Sequence, residues 1–467
     1  MTMPHKRILL LLLLFVFALT ACNNTDSNAS QQPEAPTAEP AIQPTPTTIP
    51  PAEAGELVIA PDVTLGSISP YILGTSYGPW TAVPADMIDS AFESGVEVVR
   101  FPGGAWGDRN ELKEYQVDGF MNFVGQIGDE GADVTINVNL RDGTPEQAAE
   151  LVRYTNIEKG YGVEYWAIGN EPTLFAEELR ISGRADDYDT EQFNREYREF
   201  AEAMLAVDPT IKLIGPELHQ YQPVENSNPK DSSGRDWMIE FLKANGDIVD
   251  VVSFHRYPLP GGNPNGVFTF EDLQLQSYEW EHTFAYLNGL IAEHTGREIP
   301  IAITEVNTYW SPAVQGDVTP DSHYAAIWYA ELLGQAIDSD VFMINHWLLA
   351  QAGPGHGMID RSDVRPSYHT LQLFRQLGSE QVHAESGVEG VSVYAAIRVD
   401  GALTIIVNNL NNEAQTATLQ LPDDISQQAE LWRLDMENDP DSAETITIPD
   451  DGTLTFPAQS VSLLIFE

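Results

Sequence analysis

Basic residues are scarce in this sequence. Its 467 residues hold 23 Lys and Arg against 70 Asp and Glu, a formal charge of −47. Such a chain offers phosphates no attractive surface, which excludes nucleic acid as an electrostatic partner, and anionic lipid repels it in the same way. Cysteine is nearly absent as well. Cys22 stands alone, so no internal disulfide can form. No apolar run reaches the roughly 20 residues that a membrane-spanning helix needs; the N-terminal run Ile8–Leu19 has twelve. Two signatures are missing too. There is no His-x-x-x-His ligand spacing and no phosphate-cradling glycine loop, because Phe101-Pro102-Gly103-Gly104 has the spacing of neither known type.

What is present points to a folded protein. Hydrophobic residues make up 42% of the chain and aromatic residues 9%, too much for a disordered acidic polymer. The acidic excess reads as a solvated surface. His5, Lys6 and Arg7 precede the apolar run, which ends in Leu19-Thr20-Ala21-Cys22. Small residues before a cysteine here resemble the bacterial lipoprotein signal, which implies a lipidated Cys22, residues 1–21 removed, and an exported, cell-surface protein held to the membrane by its lipid anchor alone. Residues 22–55 carry seven prolines and no aromatic side chain. They cannot bury enough surface to fold and read as a Pro/Thr-rich tether.

From residue 56 the pattern changes. Eight β-rich runs alternate with helical segments: Tyr71–Tyr77, Val96–Gly103, Asp133–Leu140, Glu164–Asn170, Ile211–Pro216, Ile248–His255, Ile299–Thr304 and Val341–Leu348. Apolar strands that alternate with helices mean a parallel sheet covered by helices, and eight of them close a (β/α)8 TIM barrel. The expected barrel spans 68–378. Beyond it, short alternating runs punctuated by turns such as Asp450-Asp451-Gly452 predict a C-terminal antiparallel β-sandwich over 379–467. Leu57–Val63, within 56–67, is expected to join that sandwich.

In a barrel the active site lies at the C-terminal ends of the strands. The fourth run ends in Gly169-Asn170-Glu171-Pro172 and the seventh in Thr304-Glu305. Two carboxylates on one barrel mouth suit hydrolysis of a glycosidic bond, one as proton donor and one as nucleophile, with no metal or organic cofactor. These two motifs resemble the acid/base and nucleophile motifs of the clan A glycoside hydrolases, retaining enzymes on a (β/α)8 barrel. Arg100-Phe101-Pro102-Gly103-Gly104 is similar to the α-L-arabinofuranosidases, and Asn-Glu-Pro also suits β-xylosidase and heparanase relatives. The chain departs from the arabinofuranosidase pattern with Ala105-Trp106-Gly107-Asp108 after the two glycines. The resemblance implies Glu171 as acid/base, protonated at rest, and Glu305 as an ionised nucleophile, on a carbohydrate substrate.

The other strand ends supply candidate binding residues. Asn170 can hydrogen-bond a sugar hydroxyl. Arg100 can ion-pair with a carboxylate. His255 ends the sixth run and Tyr257 lies two residues beyond it, with Tyr257 expected to hydrogen-bond Glu305 and His255 either at the sugar or satisfied by backbone. Trp347 ends the eighth, and an indole there can stack on a sugar face. Trp106, Tyr309 and Trp310 are loop aromatics that can form further subsites. Glu217 and Asp142 also end strands but lack, in sequence, the pairing of Glu171 with Glu305. A non-catalytic carbohydrate-binding lipoprotein is the alternative, and a binder has no need of both glutamates.

Overall fold

The computed structural model describes residues 49–181, 187–222, 228–440 and 442–467. The expectations for Cys22, the signal segment and the tether as far as residue 48 lie outside the described residues. The chain enters through β1 (Glu56–Ser67) and lays down eight strands that close a parallel barrel. These are β2 (Gly74–Ser76), β3 (Val98–Phe101), β4 (Asp133–Val138), β5 (Tyr165–Ile168), β6 (Lys212–Leu218), β7 (Val251–Arg256), β9 (Ile301–Val306) and β11 (Met343–His346). A short ribbon, β8 (Val267–Phe268) with β10 (Gln315–Gly316), pairs within the loops. Neighbours in the barrel are neighbours in the chain, and β11 pairs with β2 to close it.

The helices between strands start where their sequences offer a cap. Thr144 and Gln147 form a reciprocal capping box before Pro145–Val152. Asp189, Asp236 and Ser322 cap Thr190–Val207, Trp237–Asn245 and His323–Asp338. Each such cap satisfies a backbone N–H that the first helical turn leaves unpaired and stabilises by about 1 kcal/mol. The helix His323–Asp338 is buried on most of its faces because it is packed between the barrel and the C-terminal strands. Its one inward carboxylate, Glu331, accepts from Ser392 at 2.9 Å, Asn408 at 3.0 Å and Gln335 at 2.8 Å.

Side chains alternate along a strand, so every second residue enters the barrel. One inner layer is apolar: Val98, Ala167, Ile214, Val251, Ala302 and Met343. Tyr71, Tyr165 and Phe342 pack against it as a cluster of rings. Two residues further along β3 comes Arg100, and four along β7 comes His255. The layer toward the C-terminal mouth is therefore polar, and it is where the chemistry stands.

The C-terminal strands are β12 (Glu380–Ser386), β13 (Val391–Ile397), β14 (Leu403–Asn409), β15 (Gln415–Gln420), β16 (Gln428–Leu434), β17 (Glu444–Thr447), β18 (Thr453–Phe456) and β19 (Ser460–Phe466). With β1 they form one nine-stranded sheet in the order β17-β16-β19-β14-β13-β12-β1-β15-β18. Leu57, Ala417 and Leu419 from one end share a core with Leu431 and Leu464 from the other. The antiparallel expectation needs one correction, since β1 runs parallel to β15. No hairpin ties β1 to its neighbours, so its direction is set by the slot that buries Leu57 and Ile59.

Candidate active site

Strict alternation would put Ala302, Thr304 and Val306 on one face of β9 and send Glu305 out of the barrel. The register shifts there instead: Phe254 pairs with Ile303 and His255 with Glu305, so Thr304 is skipped. This bulge turns Glu305 to the inner face, the re-aiming that bulges commonly perform beside active sites. Glu305 thus lies within its strand rather than after it. A second shift lies between Gly215 and Leu218 on β6 and turns Glu217 inward. Glu171 reaches the mouth by another route. It sits just past β5 with φ 53° and ψ 53°, a left-handed conformation that costs a non-glycine residue roughly 1–2 kcal/mol. Glu217 has φ 56°. The backbone holds both: Glu171 N–H donates to the Glu217 carbonyl at 3.0 Å, and Asn170 N–H donates to Asp108 Oδ2 at 2.7 Å.

The side chains then meet. Arg100, fully buried, donates to Glu217 Oε2 at 2.7 Å, to Asn170 Oδ1 at 2.8 Å and to Glu305 Oε2 at 3.2 Å. Tyr257 donates its hydroxyl to Glu305 Oε1 at 2.5 Å. His255 spans two carboxylates, with Nδ1 at 3.0 Å from Glu171 Oε1 and Nε2 at 3.1 Å from Glu217 Oε2. His219 Nδ1 stands 3.1 Å from the same Glu171 oxygen. A carboxylate oxygen of Glu171, one of Glu305 and a ring nitrogen of His255 all lie within 4.8 Å of one another.

Among the strand-end candidates, the structure brings Arg100, Asn170, Glu171, His255, Tyr257 and Glu305 together. His255 is satisfied by carboxylates, not by the backbone. Glu217 is corrected from the sequence reading: it is fully buried and part of the cluster. Its membership depends on the β6 bulge, which leaves no mark in residue spacing. His219 and Asp108 were also missed as site residues. Asp108 accepts backbone N–H groups from Asn170 and from Leu140 at 3.0 Å. It ties the β3, β4 and β5 loops together behind Glu171, and burial, only partly offset by those N–H groups, pushes its carboxyl up to about 7.

The electrostatics reverse one expectation. Burial alone would raise the Glu171 carboxyl, but hydrogen bonds and charge from His219 and His255 hold it below the usual carboxylate range. Glu305 is raised, chiefly by burial and then by the Glu171 charge, with His255, Arg100 and Tyr257 pulling the other way. His255 would be lowered by burial, yet Glu305, Glu171 and Glu217 around it push it up to about 9. Glu217 is held down to about 2 by Arg100 and His255, against its burial. Both directions favour a proton on His255 over one on Glu171.

Aromatic rings border the mouth. Trp347 is half-buried and stacks on Trp80 at 5.8 Å, and Trp80 lies 6.2 Å from Trp106. Gly103 and Gly104 let the β3 loop lie under the Trp347 ring: a Cβ on Gly104 would come within 2.5 Å of it. Asn307 donates to the Trp347 carbonyl at 2.6 Å. Trp310 is exposed at the rim. Tyr309 does not join the subsites, for it is buried against Phe268.

Residues 161–418 match Glycosyl hydrolases family 39. The chain is 21% identical over 280 residues to an intracellular exo-alpha-(1->5)-L-arabinofuranosidase of Streptomyces lividans, covering 50% of this chain and 39% of that protein. It is 24% identical over 286 residues to a beta-xylosidase of Geobacillus stearothermophilus, covering 56% and 51%. The matches thus span about half of those relatives or less. The crystal structure of an alpha-L-arabinofuranosidase from Thermotoga maritima in complex with arabinose superposes with a TM-score of 0.67 over 88% of this chain and 99% of that one, at 20% identity, a likeness of fold.

Proposed function

The chain belongs to Glycosyl hydrolases family 39, and from that premise we propose that it cleaves glycosidic bonds of polysaccharides or their oligosaccharides with retention of configuration, by double displacement through Glu305 and Glu171. One observation carries this reading: the two carboxylates approach within 4.8 Å at the barrel mouth. An inverting pair stands about 6.5–9.5 Å apart to admit a water, and a retaining pair about 5–5.5 Å apart. Glu305 attacks the anomeric carbon while Glu171 protonates the departing oxygen. Water, deprotonated by Glu171, then hydrolyses the glycosyl ester. Arg100 and Tyr257 aim Glu305 and favour its ionised form against burial. Asn170 has given its oxygen to Arg100, so its NH2 is the group left to meet a sugar hydroxyl. Proton NMR of the first product from an aryl glycoside is the test: the starting anomer is expected, and the opposite anomer would refute the mechanism.

The proton for the leaving group is stored on His255 in this scheme. It moves from Nδ1 to Glu171 Oε1, 3.0 Å away, and Glu171 passes that one proton to the leaving oxygen, which leaves Glu171 ionised to act as the base in the second step. His255 is left neutral, with Nε2–H donating to Glu217. The sign of the pH dependence follows. Activity needs the His255 proton and falls as pH rises through about 9. It also needs Glu305 ionised and falls as pH drops through that group's raised pKa. In His255→Asn the alkaline limb of kcat/KM should move to lower pH, since the store is gone. A limb that stays in place would refute the proton store.

Export and anchoring through Cys22 remain part of the proposal, supported by Leu19-Thr20-Ala21-Cys22. Fatty-acid labelling that survives Cys22→Ser would end it.

A further inference from the structure

The turn that carries Glu171 is held from three elements at once. Gly169, Asn170 and Glu171 leave β5 with φ 83° at Gly169 and 53° at Glu171. Glycine takes such angles freely and glutamate does not, so contacts from outside the turn must hold it. A Cβ on Gly169 would come within 2.8 Å of Leu140 Cδ2, which places the turn hard against the β4 loop. Its three successive N–H groups all have acceptors. Gly169 donates to the Val138 carbonyl at 3.1 Å and Glu171 to the Glu217 carbonyl at 3.0 Å. Both of those acceptors are main chain of barrel strands, β4 and β6. Asn170, between them, donates to a side chain instead, Asp108 Oδ2 at 2.7 Å.

Asp108 sits in the short helix Trp106–Arg109 that follows β3, and it is 1% exposed. Its other oxygen, Oδ1, accepts from the N–H groups of Leu140 at 3.0 Å and Arg141 at 3.4 Å. All three partners are main-chain N–H donors, so the ionised acceptor is the form that fits them, and bonds to a carboxylate are about twice as strong as neutral ones. The Arg141 guanidinium is committed to Asp142 and Glu178. Burying a charge is costly, and packing alone does not require one here.

Asp108 reaches the turn through main chain alone. The side chains it aims have partners of their own. Asn170 Oδ1 accepts from Arg100 at 2.8 Å, and Glu171 Oε1 meets His219 at 3.1 Å and His255 at 3.0 Å. Loss of Asp108 therefore leaves the charges of the cluster in place and loosens the backbone under Glu171.

We propose that Asp108 is the positioning residue of the acid/base: its carboxylate fixes the Asn170-Glu171 turn so that Glu171 stands where the leaving oxygen departs. The proposal rests on the hydrolase reading for the role of Glu171, and one of its two readouts needs no turnover. Asp108→Asn keeps the size of the side chain and puts an NH2 in place of one acceptor. At pH 8, above the Asp108 value of about 7, kcat/KM is measured for phenyl and dinitrophenyl glycosides of xylose and of arabinose. This parameter covers only the steps through formation of the glycosyl ester, and dinitrophenolate leaves without a proton. The phenyl glycoside should therefore lose about tenfold to hundredfold, part of what a general acid supplies, and the dinitrophenyl glycoside less than about threefold. Hydrogen exchange followed by mass spectrometry should quicken at 138–142 and 166–172 and stay unchanged in β14. A purely structural loss would lower both substrates alike and quicken exchange throughout. Equal losses, unchanged kinetics, or unchanged exchange at 166–172 would each overturn the proposal. Asp108→Ser, which leaves room for water at the freed N–H groups, takes the same measurements if Asp108→Asn does not fold. If neither folds, Asp108 belongs to the fold and the proposal falls. The two readings separate. A wild type that hydrolyses these glycosides, with equal losses in the variant, has the hydrolase and lacks the positioning residue. A wild type without turnover whose variant exchanges faster only at the turn and the β4 loop keeps Asp108 as the residue that positions the turn and lacks the hydrolase.

Discussion

Glu305→Ala should lower kcat by on the order of 10⁵-fold or more, because it removes the atom that bonds to the sugar. Burst kinetics with an activated aryl glycoside should disappear, since no glycosyl ester can form. Added azide occupies the space the carboxylate leaves and attacks from the same face, so rescue should give a glycosyl azide of inverted configuration. The variant should remain folded. Arg100 keeps Glu217 at 2.7 Å as a buried counter-charge when Glu305 is gone, and thus no unpaired buried cation results, the outcome that makes loss of one ion-pair partner so costly. Near-wild-type turnover in folded Glu305→Ala would show the site to be wrong.

Glu171→Ala should divide substrates by leaving group. With a poor leaving group, loss of the proton donor should cost about 10²–10⁴-fold in kcat/KM. With dinitrophenolate, which departs without a proton, the first step should be nearly unaffected and the glycosyl ester should accumulate, because no base then activates water. Azide should resolve that ester to a glycosyl azide of retained configuration. His219 and His255 both lose the oxygen they share. His255 keeps Glu217 and approaches Glu305 at 3.9 Å, and it should therefore stay cationic. Opposite azide configurations in the two variants would exchange the roles of the glutamates.

The two glutamates were legible in sequence because each directly follows an apolar run, and a parallel barrel puts the ends of such runs on one mouth, although Glu305 lies inside β9 and faces inward through its bulge. Arg100 and Tyr257 were legible for the same reason. Glu217 was not, although it also ends a strand, because only the register shift at Gly215–Leu218 turns it toward Arg100. His219 was hidden in a loop, one residue past β6. Tyr309 and Trp310 are adjacent aromatics with the same prior claim to a subsite, yet one is buried and the other exposed.

The sequence by itself determined the elements and their order, since alternation, caps and turn residues act over a few positions. It also determined which residues stand at strand ends, and hence the reaction class proposed. The tertiary structure decided which groups favour the proton. That depends on the summed fields of Arg100, Glu171, Glu217, His219, His255 and Glu305, which come from five different strand ends and fall within hydrogen-bonding reach of one another only when the barrel closes. A field that varies with distance and burial has no expression in a one-dimensional string. The same holds for the direction of β1, which the slot between β12 and β15 sets.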